Sequence, residues 1–496
     1  MTAARPERPA ALSRRGFLGT AGAFALIAGC RSAAEVFASR EPRLKFGVAS
    51  DIHCQYRAFC DDFENALVKF RAAGVDAVVI AGDLADTGSV RELKFVADCW
   101  DRVFPGGRGK DGRRVERMFV TGNHDHDGEP MKNSAWRGYY CGDQARIAED
   151  SMALRPGGVA GAWEQCFGEK FEPIYRKNIR GYDFIGAHWC TQNGVDGVEE
   201  YMRRAAPTLD PARPFFYVQH CHPRGTVYAD WAWGEDDGRS KRALSAFPNA
   251  VAFSGHSHFT LTSDWSIWQG EFTSVGTASL SARVAASYGG RENSRAFPGE
   301  RPHMPQASAA DVRQGMIVTV YDDVVRVDRR DFSRGLPLGE PWVFTVPAGA
   351  GSPYVPARHA ASVGAPAYAV RPGADEVAVS EGAAAHGCDG GVRHVTVSFP
   401  VPSPKGDARA FDFEVAVIAR YNNVEKIFKV KRALCPSAHL PPSAEVKRAE
   451  CVFAADELPR PVKRSWTSAG FRFAVTPVSS MGVRGETFYS KEILCT

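Results

Sequence analysis

At 496 residues the chain is longer than a single hydrophobic core usually supports, so two domains are expected. With 44% hydrophobic and 24% charged residues its composition is that of an ordinary globular protein. The formal net charge is +4, but Arg5, Arg8, Arg14 and Arg15 against Glu7 carry most of it; the chain beyond residue 29 is close to neutral, which argues against a dedicated polyanion binder and leaves no nucleic-acid-binding signal.

The first element is "SRRGFLGTAGAFALIAGC", in which Arg14 and Arg15 precede an apolar stretch from Phe17 to Gly29. At about 1.5 Å per residue that stretch makes roughly 20 Å of helix, short of the roughly 30 Å hydrocarbon core, so a permanent spanning helix is not expected. The segment reads as a twin-arginine export signal over residues 1–29. Its ending, "LIAGC", resembles the bacterial lipoprotein box, which would make Cys30 the lipidated residue and residues 30–43 a tether; a plain signal with a chance cysteine is the alternative. The expectation is a protein of the bacterial cell envelope, held at the membrane by an N-terminal lipid. Eleven cysteines follow Cys30, and an odd number forbids complete internal pairing. Cys388, Cys435, Cys451 and Cys495 can form two disulfides outside the cytoplasm, in three connectivities, and free buried thiols are expected for the others.

Next come apolar runs that each end in metal-ligating residue types. "LKFGVASDIH" ends at Asp51 and His53, and "DAVVIAGDLAD" at Asp83 and Asp86. Between them Phe59, Phe63, Leu67 and Phe70 recur at helical spacing until Gly74 stops the run. Strand, helix and strand in this order predict a βαβ unit and an α/β layered domain, whose sites gather past the carboxyl ends of strands. "ERMFVTGNHDHD" ends at Asn123, His124 and Asp125. Residues 127–180, with Trp136, Tyr139, Tyr140 and Trp163, break the rhythm and read as an insertion before "GYDFIGAHWC" resumes as a strand. "FFYVQHCHP" ends at His220, and "AFSGHSH" at His256 and His258, a spacing that would aim both imidazoles one way if the strand continued. Two further insertions, about 222–245 and 281–312, follow site-bearing strands and are placed to wall a cleft. "GMIVTVYDDVVRVDRRDF" reads as a hairpin around Asp322 and Asp323 and closes a domain spanning 44–346.

Residues 347–375 are rich in Ala, Gly, Pro and Ser and read as a linker. Beyond it, "VTVSF", "FDFEVAV" and "FRFAV" alternate apolar with polar residues, as half-buried antiparallel strands do, so residues 376–496 are expected to form a β-sandwich. The closing "FRFAVTPVSSMGVRGE" is similar to the last hairpin of fibronectin type III modules.

In order, the strand-end motifs are D-x-H, G-D-x-x-D, G-N-H-D, a lone H and G-H-x-H. Together they resemble those of the calcineurin-like metallophosphoesterases, over about residues 44–335. The resemblance implies a layered β-sandwich core flanked by helices, with the smaller all-β domain appended. It implies two divalent metal ions, one on Asp51, His53 and His258 and the other on Asn123, His220 and His256, with Asp83 between them. His124 would be the catalytic group that is not a ligand, acting with a metal-bridging hydroxide on a phosphate monoester or diester. Asp86 is the carboxylate expected to orient it, with Asp125 the other candidate and a helix cap the alternative role for Asp86. Independently of the resemblance, imidazole, carboxylate and amide donors suit manganese, iron or zinc.

Other polar residues have weaker readings. Cys54 and Cys221 adjoin proposed ligands but are expected to pack away from them, because neighbours on a strand face opposite ways. His188 and His222 are expected to be structural rather than substrate contacts, and His126 is open between the two. Arg137 is a candidate phosphate fork in a wall with Trp136, Tyr139 and Tyr140. The rival to an enzyme is a cell-surface binding protein with an inactive phosphoesterase scaffold and a partner-binding sandwich. The oligomeric state is not legible.

Overall fold

In the computed structural model, which describes residues 41–55, 57–127, 138–190, 194–228, 234–281, 312–383, 393–403, 408–421, 424–443, 446–459 and 470–494, every site-bearing apolar run is a buried strand. Strand β1 (Leu44–Ala49) leads into helix α1 (Arg57–Ala73), then β2 (Ala77–Ala81), helix α2 (Val90–Val103) and β3 (Glu116–Val120). The register is parallel from β1 to β2 and from β2 to β3. Helix α1 buries Phe63, Leu67 and Phe70 and ends in a left-handed Gly74 (φ 69°). Gly74 N–H bonds to Arg71 O (3.2 Å) and Val75 N–H to Phe70 O (3.4 Å), the double bond of a glycine-terminated helix. Helix α2 is capped by Ser89, with Glu92 completing a capping box. Asp86 is therefore not its cap.

A short helix, α3 (Asn123–Asp127), follows β3 directly. Helices α4 (Gln144–Asp150) and α5 (Gly158–Phe167) then precede strands β4 (Ile174–Ile179) and β5 (Tyr182–Ala187). Strand β4 lies inside the expected insertion yet pairs with β5 as the edge of a second sheet. Its sequence, "IYRKNI", has no apolar alternation because it is an edge strand with mostly half-buried side chains. Trp163, read as an insertion aromatic, is core. Helix α6 (Val198–Ala205), β6 (Phe215–Val218), helix α7 (Arg239–Leu244), β7 (Ala250–Ser254), β8 (Ile267–Gln269) and β9 (Thr273–Gly276) complete the second sheet, in the order β4-β5-β6-β7-β9-β8. The hairpin of β10 (Gln314–Tyr321) and β11 (Val324–Asp331) turns at Asp322 and Asp323, as expected, and adds β10 antiparallel to β1. With β12 (Leu336–Pro337) and β13 (Trp342–Thr345) on β11, the first sheet runs β12-β11-β10-β1-β2-β3.

The two sheets face each other. Phe46 of β1 packs on Phe184, Phe216 and Phe253 of the other sheet, at ring distances of 5.1, 4.7 and 5.8 Å. Each fully buried phenylalanine of this kind stabilises by about 1.5–3 kcal/mol. Helices α1 and α2 cover the outer face of the first sheet, and α6 and α7 that of the second. Strands such as β2 and β7 are thus buried on both faces, which is why they read as continuous apolar runs. The result is a layered α/β core whose parallel strands β1, β2, β3, β6 and β7 each end in a motif loop.

The segment expected to be a linker contains helix α8 (Pro356–Val363) and lies on the α/β core: Gln269 N–H bonds to Tyr354 O (3.0 Å) and Val343 N–H to the Tyr354 hydroxyl (3.0 Å). The C-terminal region is all antiparallel. One sheet has β14 (Ala378–Ala383), β15 (Arg393–Pro400) and β18 (Arg448–Ala454); the other has β16 (Asp412–Tyr421), β17 (Val424–Leu434), β19 (Gly470–Val478), β20 (Phe488–Tyr489) and β21 (Ile493–Leu494). They enclose a core that includes Phe399, Phe413, Phe453 and Phe473. Buried hydrogen bonds join this sandwich to the core, Gln314 Nε2 to His439 O (2.8 Å) and Asp264 N–H to Ser480 Oγ (3.0 Å). Cys435 and Cys451 are buried thiols that do not pair with each other, and Cys388 and Cys495 lie outside the described residues. Among the described residues no helix is long and apolar enough to cross a membrane.

Candidate metal centre

Three of the five motif loops, the first, second and last, leave their strands in an unusual conformation. Asp51, His53, Asp83, His256 and His258 all have positive φ, between 47° and 67°. Non-glycine residues seldom do so, and Asp and His tolerate it better than most. Backbone in this region stores strain that the surrounding fold must hold, and it gathers at functional sites. The last loop shows the use of it. Strand β7 ends at Ser254, so alternation along a strand does not direct His256 and His258. Left-handed turns at both residues send the two rings to different neighbours.

His258 Nε2 lies 2.9 Å from Asp51 Oδ1 and 3.3 Å from His53 Nε2, and His53 Nε2 lies 3.5 Å from Asp83 Oδ2. On the other side of Asp83, its Oδ2 lies 3.2 Å from His220 Nε2, which is 3.1 Å from Asn123 Oδ1 and 3.1 Å from His256 Nδ1. Asp51, His53, Asp83 and His258 thus form one buried group and Asp83, His220 and His256 a second, with Asn123 against it. All seven residues named as ligand candidates are brought together.

Tautomers test whether these groups suit cations. His53 Nδ1 lies 3.0 Å from Asp86 Oδ1, and His220 Nδ1 lies 2.8 Å from Ala81 O, so each must carry its proton there. In the neutral rings both Nε2 atoms are then lone pairs. That of His220 faces two oxygens that have no hydrogen to offer, and such a convergence of acceptors calls for positive charge between them. Protonation shows the same demand: burial pulls the His220 imidazole down, but the charge and hydrogen bond of Asp83, with help from Asp51, lift its pKa to about 9. Burial would raise Asp83, yet His220, His53 and His124 hold it well below the usual carboxylate range. Partners behind the ligand rings, as Asp86 and Ala81 are here, fix ring orientation in metal sites.

The remaining motif residues correct the sequence reading. Asp86 does not orient His124 with its carboxylate, which is spent on His53 Nδ1 and the Gln55 amide. Its backbone oxygen accepts the His124 Nδ1 proton instead, at 2.6 Å. Asp125 does not orient His124 either. Its carboxylate accepts N–H bonds from Leu84 (3.2 Å), Ala85 (2.8 Å) and Gly122 (2.8 Å), tying the second motif loop to the third. Burial and the nearby Asp83 raise its pKa to about 6, while the three N–H donors favour the anion. His53, Asp86 and His124 also lie close enough together to suggest a third ion. The Nδ1 atoms of both rings are donors to Asp86, so neither ring offers a lone pair on that side.

Glycines in the motifs have a steric reason. A Cβ on Gly122 would strike Asp83 Oδ1 and His220 Nε2, and one on Gly255 would strike Asp51 Oδ2. Cys54 is not merely packing, since it forms a disulfide with Cys60 in the first turns of α1 (Cα–Cα 5.6 Å) and so ties the first motif loop to that helix. Cys221 is a buried thiol, as expected. His188 is buried against Phe171 and Tyr175 and accepts the Thr121 N–H (3.1 Å), while His126 Nε2 meets Thr121 Oγ1 (3.0 Å). His222 is fully buried. Arg137, Trp136 and residues 1–40, Cys30 and the signal-like segment among them, lie outside the described residues, and Tyr140 packs inward with its hydroxyl on Asp150. Sequence reasoning missed Gln55, two residues past His53, and Trp189, at the end of a strand that carries no ligand. It also missed Ser50, whose hydroxyl reaches Asp51 from within the strand-end run. No local periodicity marks them.

Residues 44–259 match the model of the family described as calcineurin-like phosphoesterase. No curated protein matches this sequence. Among solved structures, a dimetal phosphatase from Danio rerio is similar at 12% identity, covering 62% of this chain and 99% of its own, with a TM-score of 0.35. A predicted phosphoesterase from Streptococcus pneumoniae is similar at 14% identity, covering 61% of this chain and 97% of its own, with a TM-score of 0.25. The anchor of the inner membrane complex of Plasmodium is similar at 10% identity, covering 61% of this chain and 88% of its own, with a TM-score of 0.32. By the match of the family model alone, residues 44–259 form a calcineurin-like phosphoesterase domain.

Proposed function

We propose that this protein is a metal-dependent phosphoesterase that holds two divalent transition ions, on Asp51, His53, Asp83 and His258 and on Asp83, Asn123, His220 and His256. The observation that carries the reading is the convergence of imidazole and oxygen lone pairs on both sides of Asp83. Manganese, iron and zinc all suit these donors. Bound there, two such ions acidify water and neutralise charge on the phosphoryl oxygens.

The chain's own part in the reaction is to position and to move a proton. Asp86 O holds His124 Nδ1–H, which leaves Nε2 as the nitrogen that exchanges a proton with substrate. Water adds its oxygen to phosphorus, the bond from phosphorus to the ester oxygen breaks, and His124 passes its Nε2 proton to the departing alcohol. The proton released by the water returns the imidazole to its starting form. The backbone N–H of His124 bonds to Asp83 Oδ1 (3.0 Å), which keeps the proton donor in register with the shared carboxylate.

The test is a metal-reconstituted activity panel on phosphate esters. Turnover that needs manganese, iron or zinc and disappears with a chelator is expected. Purified protein that binds no metal and turns over no phosphate ester would make the domain an inactive scaffold.

We further propose that the protein is exported by the twin-arginine route and anchored through Cys30, with the C-terminal sandwich a fibronectin type III-like module. The support is the "SRRGFLG" and "LIAGC" sequences and the two antiparallel sheets. Cys30→Ala is expected to shift the mature protein from the membrane to the soluble fraction. A mature N-terminus mapped at any other residue would refute the anchor.

A further inference from the structure

The two ends of the metal centre have different walls. At the end formed by Asp51 and His53 the neighbour is His124, whose ring lies 4.5 Å from that of His53. At the other end it is Trp189, which follows β5. Its ring lies 6.1 Å from that of His220 and 6.0 Å from that of His256. Its backbone N–H bonds to Thr121 O (3.2 Å), which fastens it to the loop carrying Asn123. The residue is half-buried.

Beyond what the two ions supply, an indole face offers a third, charged phosphoryl oxygen no counter-charge of its own, so it is a poorer neighbour for a phosphate monoester. It is a good neighbour for a planar apolar group, which stacks on it. Resting on the phosphoesterase reading, in which His124 serves the leaving alcohol, a group at the Trp189 end is the substituent that stays on phosphorus. We propose that Trp189 binds that substituent and that the substrate is a phosphodiester whose retained alcohol is planar, aryl or heteroaryl in character.

Two diesters with one leaving group test it: p-nitrophenyl phenyl phosphate and p-nitrophenyl methyl phosphate. The protein is expected to favour the phenyl ester in kcat/KM by about tenfold, the scale of an aromatic pair. Trp189→Leu, which keeps apolar volume but loses the π face, should bring that preference within about twofold, and Trp189→Phe should restore most of it. Calorimetric binding of phenylphosphonate against methylphosphonate should show the same pattern without turnover, with both ions still present by elemental analysis. An unchanged preference in Trp189→Leu would overturn the assignment, and loss of a metal in that variant would make Trp189 a packing residue for His220 and His256. Turnover of p-nitrophenyl phosphate but of neither diester would overturn the diester assignment and leave the phosphoesterase reading standing. Failure on all three esters would sink that reading itself, and phosphonate binding would still decide the role of Trp189.

Discussion

Asp83→Asn is expected to empty both metal sites together. The Asp83 carboxylate faces His53 Nε2 at 3.5 Å on one side and His220 Nε2 at 3.2 Å on the other, and no other residue belongs to both groups. The amide is nearly the same size, so the fold has little to accommodate. What changes is charge and hydrogen: one negative charge goes, and an NH2 takes the place of an oxygen among lone pairs. Losing a partner behind a ligand typically costs about 10–100-fold in metal affinity, and loss of the shared ligand should exceed that at both sites. Asn123→Ala, by contrast, should weaken only the second ion. Elemental analysis after reconstitution reads both results, with circular dichroism as the control for folding. An Asp83→Asn protein that keeps one ion at full occupancy would show that the two groups do not depend on a common carboxylate.

His124→Ala separates chemistry from metal binding. Its Nδ1 is committed to Asp86 O, and neither of the two groups around Asp83 includes it. Both ions should therefore stay, while turnover falls by about 10²- to 10⁴-fold, the usual range for removing a positioned proton donor. The loss should shrink as the leaving group improves, because a departing p-nitrophenolate needs less protonation than an alkoxide. A loss equal across good and poor leaving groups would assign His124 to charge on the phosphoryl oxygens instead. Loss of an ion would move His124 into the coordination sphere. Asp86→Asn should leave the His124 contact in place, since the carbonyl and not the carboxylate makes it, and should act through His53.

The apolar run before each motif already marks a strand, because a strand buried on both faces needs consecutive apolar residues, and the ligand types follow at its carboxyl end. Asp51, His53, Asp83, Asn123, His220, His256 and His258 were legible for that reason. So were the hairpin at Asp322 and Asp323 and the alternating strands of the C-terminal sandwich, since both patterns are local. Strand β4 was not, because an edge strand with half-buried side chains has no apolar period to display. Nor was the division of Asp86 between two histidines, carboxylate to one and carbonyl to the other, because it depends on how two loops 38 residues apart approach each other. Strand alternation extended past Ala49 predicts packing for Cys54, but β1 ends there and the chain turns back toward Cys60. The opposed directions of His256 and His258 likewise come from positive φ at both, and a backbone is held in that conformation only by the loops packed around it. Which residues cluster was written along the chain; which atom of each faces which neighbour was decided only when strands from two sheets brought the loops together, since hydrogen-bond direction depends on the approach of partners far apart in sequence.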